Sequence, residues 1–128
     1  MKVLLINGSP NEHGCTYTAL SETAETLQKH GIDTEILYLA KAGGGLHCLR
    51  QMQRDRKCVF DDKVNEVIDK LDSIDAIVVG SPVYYASANG SLYSFLDRLF
   101  YAGSCFAFKP AAAVASARRA GTTLRSIP

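Results

Sequence analysis

Three short stretches constrain this chain more than any other feature. KVLLI (2–6), DAIVVGSP (75–82) and PAAAVASA (110–117) carry apolar side chains on consecutive positions. A strand with one face in water alternates apolar and polar residues, whereas a strand that is apolar throughout has both faces buried. TEILYLA (34–40) reads as a further strand. Between these runs the apolar period becomes helical. Tyr17, Leu20, Ala24 and Leu27 recur at helical spacing before Lys29, His30 and Gly31, a favourable helix end. Val64, Val67, Ile68 and Leu71 mark a second helix with Asp61 or Asp62 as its cap. Leu92, Phe95, Leu96, Leu99 and Phe100 mark a third, beginning near Asn89. The glycines and charges of AGGGLHCLRQMQRDRKC (42–58) predict an irregular excursion.

Strands alternating with helices imply right-handed crossovers and a mostly parallel sheet covered on both faces, a doubly wound α/β domain. Ligands of such sheets bind beyond the carboxyl ends of the strands, near the point where strand order reverses. The informative loops are therefore those after the first, third and fourth strands.

The chain has 128 residues, 47% hydrophobic and 21% charged, enough apolar material for one domain with one core. A formal net charge of +1 supplies no field that would gather nucleic acid or anionic lipid. No apolar run approaches the roughly 18 residues of a membrane span, and the N-terminus has no signal-peptide pattern, so a cytoplasmic protein is expected. Cys15, Cys48, Cys58 and Cys105 are too few and too irregular for a disulfide framework.

The three loops share a chemistry. GSPNEHGCT (8–16) runs from a strand into a helix, so its amides and the hydroxyls of Ser9 and Thr16 can converge on an anion at the helix N-terminus. A phosphate is the expected occupant, held without a lysine. Neither G-x-G-x-x-G nor GK[ST] is present, which argues against a dinucleotide fingerprint and a nucleoside triphosphate loop. In GSPVYYASANG (80–90), Pro82 stiffens the turn while Tyr84 and Tyr85 offer flat faces to a planar ring. SARRAGTT (116–123) brings two arginines to the third corner.

Taken in order, GSPNEHGCT, GSPVYYASANGSLYSFLDR and SARRAGT resemble the NADPH-dependent FMN reductase branch of the flavodoxin-like superfamily, which includes the iron-sulfur flavoproteins. The resemblance implies a flavodoxin-like three-layer sandwich with sheet order 2-1-3-4. It also implies an FMN-dependent oxidoreductase that takes hydride from NADPH or NADH and passes electrons to a small-molecule acceptor, with no catalytic side chain required. By position, Ser9, Gly14, Cys15 and Thr16 would surround the FMN phosphate. Pro82, Val83, Tyr84 and Tyr85 would line the ribityl chain and isoalloxazine, and Ser116, Arg118, Arg119 and Gly121 would complete the ring's other edge. A homodimer or higher homo-oligomer is implied as well.

Three features depart from the family pattern: the first loop, the cysteine set and the end of the chain. Asn11 stands where a basic residue is usual and Cys15 where an asparagine is usual, which weakens the phosphate cradle. Only Cys48 and Cys58 remain where the iron-sulfur members carry a compact cysteine set, and two thiolates cannot fill the four ligand positions of a cluster, so no metal is expected. The family pattern continues with a helix, a fifth strand and a last helix, whereas this sequence stops at GTTLRSIP; a bare fourth strand is then expected to drive association. The alternative to an enzyme is a flavodoxin-like electron carrier or a partner-binding module. A cysteine phosphatase at Cys48 and Arg54, suggested by H-C-x5-R spacing, is disfavoured because Leu49, Arg50, Gln51, Met52 and Gln53 are too bulky for its tight anion loop.

Overall fold

The first apolar run forms strand β1 (Lys2–Asn7), and its alternate side chains enter two separate cores. Leu4 and Ile6 pack on one face of the sheet, Val3 and Leu5 on the other, all at most 3% exposed. Consecutive apolar residues are thus required at this position: a polar side chain at any of the four would be buried unpaired. The computed structural model describes residues 1–39, 63–101 and 106–118. Asp61 and Asp62, the expected caps of the second helix, lie outside them, as do Cys48, Arg54, Cys58, Cys105, Arg119 and Gly121.

After β1 the chain forms helix α1 (Cys15–Lys29), strand β2 (Asp33–Tyr38), helix α2 (Lys63–Lys70), a 3-10 turn (Leu71–Ser73), strand β3 (Ala76–Tyr84), a two-residue strand β4 (Ser87–Ala88), helix α3 (Gly90–Tyr101) and strand β5 (Ala111–Ser116). β1 pairs in parallel with β2 and β3, and β3 pairs in parallel with β5, giving the order β2-β1-β3-β5. This is the expected flavodoxin-like order, the fourth long strand being β5. The two-residue β4, too short to leave a sequence pattern, folds back antiparallel on the end of β3. Strand order reverses between β1 and β3, so a ligand cleft is expected beyond their carboxyl ends.

Helix α1 covers the face that holds Val3, Leu5, Ala76 and Val78, through Leu20 and Ala24. It ends in a Schellman motif: Gly31 has φ +75°, its N–H donates to Gln28 O (2.9 Å), and Ile32 N–H donates to Leu27 O (3.1 Å). Helices α2 and α3 cover the opposite face. Val64, Val67, Leu71, Leu92, Phe95, Leu96 and Leu99 pack there against Leu4, Ile6, Leu37 and Ile77. Full burial of each large side chain contributes about 1.5–3 kcal/mol.

Phe100 is not part of this core. It lies about 80° around the helix from Leu92, is half exposed, and meets Phe106 edge-on with centroids 5.4 Å apart. Arg98, by contrast, is completely buried.

Glu35 on β2 binds Lys2 (2.8 Å) and Lys70 (2.8 Å), and Lys70 also meets Glu66 (3.0 Å). These contacts stitch α2 to the first two strands. Hydrogen bonds from Lys2 and then Lys70 hold the Glu35 carboxyl below the ordinary glutamate range. The same contacts with Glu35 and Glu66 raise Lys70 above its usual range.

β5 bonds to β3 and is the outer strand among the described residues. Ala111, Ala112 and Ala113 are exposed, although their run is apolar enough for a strand covered on both faces.

Candidate functional site

At the carboxyl ends of β1, β3 and β5 the three loops singled out in the sequence converge on one cleft of about 330 Å³. The first loop contributes Ser9, Asn11, Gly14, Cys15 and Thr16. Pro82, Val83 and Tyr84 come from the end of β3, and Ser116, Ala117 and Arg118 from the end of β5. Arg118 supplies the one charged side chain among the described lining residues.

The floor of this cleft is built by close approach of the backbone. A Cβ added to Gly80 would lie 2.7 Å from Leu20 Cδ1 and 2.9 Å from Thr16 Cγ2, so only glycine lets α1 settle this close to β3. Thr16 is 1% exposed, and its Oγ1 lies 2.8 Å from Ser116 Oγ. One hydroxyl pair therefore ties the start of α1 to the end of β5, one hundred residues further along the chain.

The first loop is held in a single shape by its own polar groups. Asn7, fully buried, accepts the Ser9 N–H (3.0 Å) at Oδ1 and donates from Nδ2 to Glu12 O (3.1 Å). Ser9 Oγ accepts the Asn11 N–H (3.1 Å), and Tyr38 from β2 donates its hydroxyl to Pro10 O (2.8 Å). Gly8 N–H donates to Gly80 O (2.8 Å), which joins this loop to the middle of β3. These bonds fix the loop without using the amides at the N-terminus of α1. Gly14 is the N-cap in extended conformation (φ −87°, ψ −172°), no side chain among the described residues caps it, and the first turn carries no acidic residue. The positive end of the helix dipole and its free amides are left facing the cleft, the arrangement that binds an anion.

The opposite wall is shaped by the hairpin that joins β3 to β4. Val83 pairs with Ala88 and Tyr84 with Ser87, leaving Tyr85 and Ala86 as a two-residue turn. Both have positive φ, +45° and +63°, the left-handed backbone of a type I′ turn. Such turns favour Asn-Gly, so a Tyr-Ala pair gives no sequence signal for one. Tyr84 lines the cleft and is half exposed; Tyr85 is outside the lining and its side chain is wholly exposed.

Most residues anticipated from the sequence are thus brought together. Ala117 was missed because it is featureless in sequence, and Asn7 and Tyr38 because their roles depend on where the loop folds over them.

Residues 1–126 match the family model described as NADPH-dependent FMN reductase. The chain belongs to that family. An iron-sulfur flavoprotein of Archaeoglobus fulgidus is 34% identical over 103 residues, covering 77% of this chain and 48% of the relative. One from Methanocaldococcus jannaschii is 33% identical over 100 residues, covering 77% of this chain and 51% of the relative. The chain therefore spans about half the length of the curated relatives it matches. Among solved structures, an NAD(P)H:quinone oxidoreductase from Methanothermobacter marburgensis superposes with a TM-score of 0.71 over 91% of this chain and 64% of its own, at 19% identity. That likeness concerns the fold, and it agrees with the flavodoxin-like strand order of this member of the FMN reductase family. No helix among the described residues is long and apolar enough to cross a membrane, and no group of three or more His, Cys, Asp or Glu among them could hold a metal ion.

Proposed function

We propose that the cleft binds FMN and that the chain forms the flavin-binding part of an NAD(P)H-dependent oxidoreductase. The observation that carries this reading is the uncapped N-terminus of α1 opening into a cleft whose other walls are Pro82, Val83, Tyr84 and Arg118. A flavin nucleotide has that polarity: an anionic group at one end and a planar ring at the other.

In this reading the amides at the start of α1, with Ser9, Gly14, Cys15 and Thr16, hold the phosphate. Asn11 lies at the same end and contributes no charge, so the helix dipole carries most of the neutralisation. Pro82, Val83 and Tyr84 bound the ribityl chain and ring, Ser116 stands beside Thr16 where the phosphate end meets the ribityl chain, and Arg118 approaches the ring's other edge; Arg119 and Gly121, expected at that edge, fall outside the described residues. Tyr85 extends the ring wall outward, where it would meet a co-substrate. A flavin held there would supply the redox chemistry, linking a reduced nicotinamide as hydride donor to a small-molecule acceptor such as a quinone, a nitroaromatic, a metal ion or another flavin. The protein's part is to bind, orient and shield.

The working form in this reading is at least a homodimer. Support comes from β5, whose outer edge is unpaired among the described residues and whose Ala111, Ala112 and Ala113 are exposed. Sedimentation at micromolar concentration tests this, and a monomer would refute it.

Protein purified with FMN should be yellow and release about one flavin per chain on denaturation. It should oxidise NADPH or NADH, and it should hold no stoichiometric iron, since Cys48 and Cys58 offer two thiolates for a four-ligand cluster. A colourless protein that leaves FMN fluorescence unquenched would remove the central claim.

A further inference from the structure

Asn89 uses all of its polar groups, and they reach three different segments. Its backbone N–H donates to Ser81 Oγ (2.9 Å) in β3, its Nδ2 donates to Gly8 O (2.8 Å) in the loop after β1, and its Oδ1 accepts the Ser91 N–H (3.0 Å) in the first turn of α3. Its carbonyl accepts the Leu92 and Tyr93 N–H groups (3.0 and 3.2 Å), which begins the helix. The Oδ1 bond is an N-cap, a role that serine or threonine fills about as well. The Nδ2 bond is a separate matter. It plays no part in starting α3, and it needs a side chain that accepts at one atom while donating at another.

From this division of roles we infer that Asn89 is a positioning residue. It fixes the loop wall of the cleft against the Pro82–Tyr84 wall, so that a ligand touching both meets them at one set separation. Gly8 is gripped on two sides: its N–H donates to Gly80 O and its carbonyl accepts from Asn89. Tyr38 holds Pro10 from β2, at the far side of the same loop. Asn89 approaches from the junction that carries the ring wall, and so joins the two halves of the site. Which ligand spans both walls is taken from the flavin reading; the coupling of the walls is independent of it.

The variants N89T and N89S keep the helix cap and lose the donor to Gly8. A residue that merely caps α3 would tolerate both. In ligand-free protein, the Gly8, Ser9, Asn11 and Gly14 amides, all hydrogen-bonded within or from this loop, should exchange with deuterium about tenfold faster in N89T and N89S, the size of one lost neutral hydrogen bond. Amides in the middle of α1 and α3 should be unchanged. FMN, which would span both walls, should bind about tenfold more weakly, while lumiflavin and inorganic phosphate, each filling one end, should change less than about twofold.

Unchanged loop exchange in both variants overturns the inference, whatever the ligand. Equal weakening of FMN, lumiflavin and phosphate overturns it as well, because it would mark general loosening rather than lost spacing. Wild-type protein that binds no FMN would refute the flavin reading alone, and the exchange measurement would still decide the role of Asn89.

Discussion

Thr16 Oγ1 and Ser116 Oγ meet at 2.8 Å inside the cleft and join the first turn of α1 to the last residue of β5. Thr16 is 1% exposed, so its hydroxyl is either paired with Ser116 or turned toward a bound ligand. Thr16→Val keeps the shape and removes the hydroxyl, leaving Ser116 short of a partner at a cost of about 1–3 kcal/mol. FMN should weaken roughly tenfold while riboflavin, which lacks the phosphate, barely changes. The coupling shows in a cycle of melts: Thr16→Val and Ser116→Ala together should destabilise by less than the sum of the two alone. Full additivity would mean that the two hydroxyls do not interact in solution.

Gly80→Ala would place a methyl group 2.7 Å from Leu20 Cδ1 and 2.9 Å from Thr16 Cγ2. Helix α1 must then move off the sheet near the cleft, and overpacking of this kind costs about 1–3 kcal/mol. Both the thermal midpoint and FMN affinity should fall. Ala19→Gly, a change on a partly exposed part of α1, should lower the midpoint through helix propensity and leave FMN affinity unaltered.

Ala86 adopts φ +63° in the turn after Tyr85. Glycine relieves a left-handed strain of about 1–2 kcal/mol and returns part of it as unfolded-chain entropy. Ala86→Gly should therefore raise the midpoint by a few degrees for a chain of this size. Ala86→Val, β-branched, should lower it. Differential scanning calorimetry of the two variants separates these signs.

Acid should weaken the attachment of α2. Hydrogen bonds from Lys2 and Lys70 hold Glu35 below its usual pKa of 4.5. A depressed folded pKa gives stability that is present above the unfolded value and lost as pH falls through the folded value. The loss should begin below about pH 4.5 and remain under about 1 kcal/mol, because the side chain is 30% exposed and screened. Midpoints measured from pH 6 to 3 should fall more steeply for wild type than for Glu35→Gln. Parallel curves would count against the network.

Much of the fold was legible because it depends on local pattern. Runs of consecutive apolar residues specified strands buried on both faces, and Leu4 with Ile6 against Val3 with Leu5 is that rule realised. Lys29, His30 and Gly31 marked the C-terminal end of α1, and the three polar loops marked the ligand end of the sheet. Phe100 misled because a helical stripe has an edge, and only the neighbouring helix decides which edge residues it covers.

The sequence by itself determined which residues belong to β1, α1 and β3, and which three loops carry polar chemistry, because residue periodicity and backbone propensity act over a few positions at a time. The tertiary structure alone decided that Tyr85 and Ala86 turn with positive φ, that Tyr38 reaches Pro10, and that Asn89 and Ser116 close the cleft onto Gly8 and Thr16. Those contacts join residues 28 to 100 positions apart. Their partners are fixed by sheet register and close backbone approach, which no local pattern of side chains encodes.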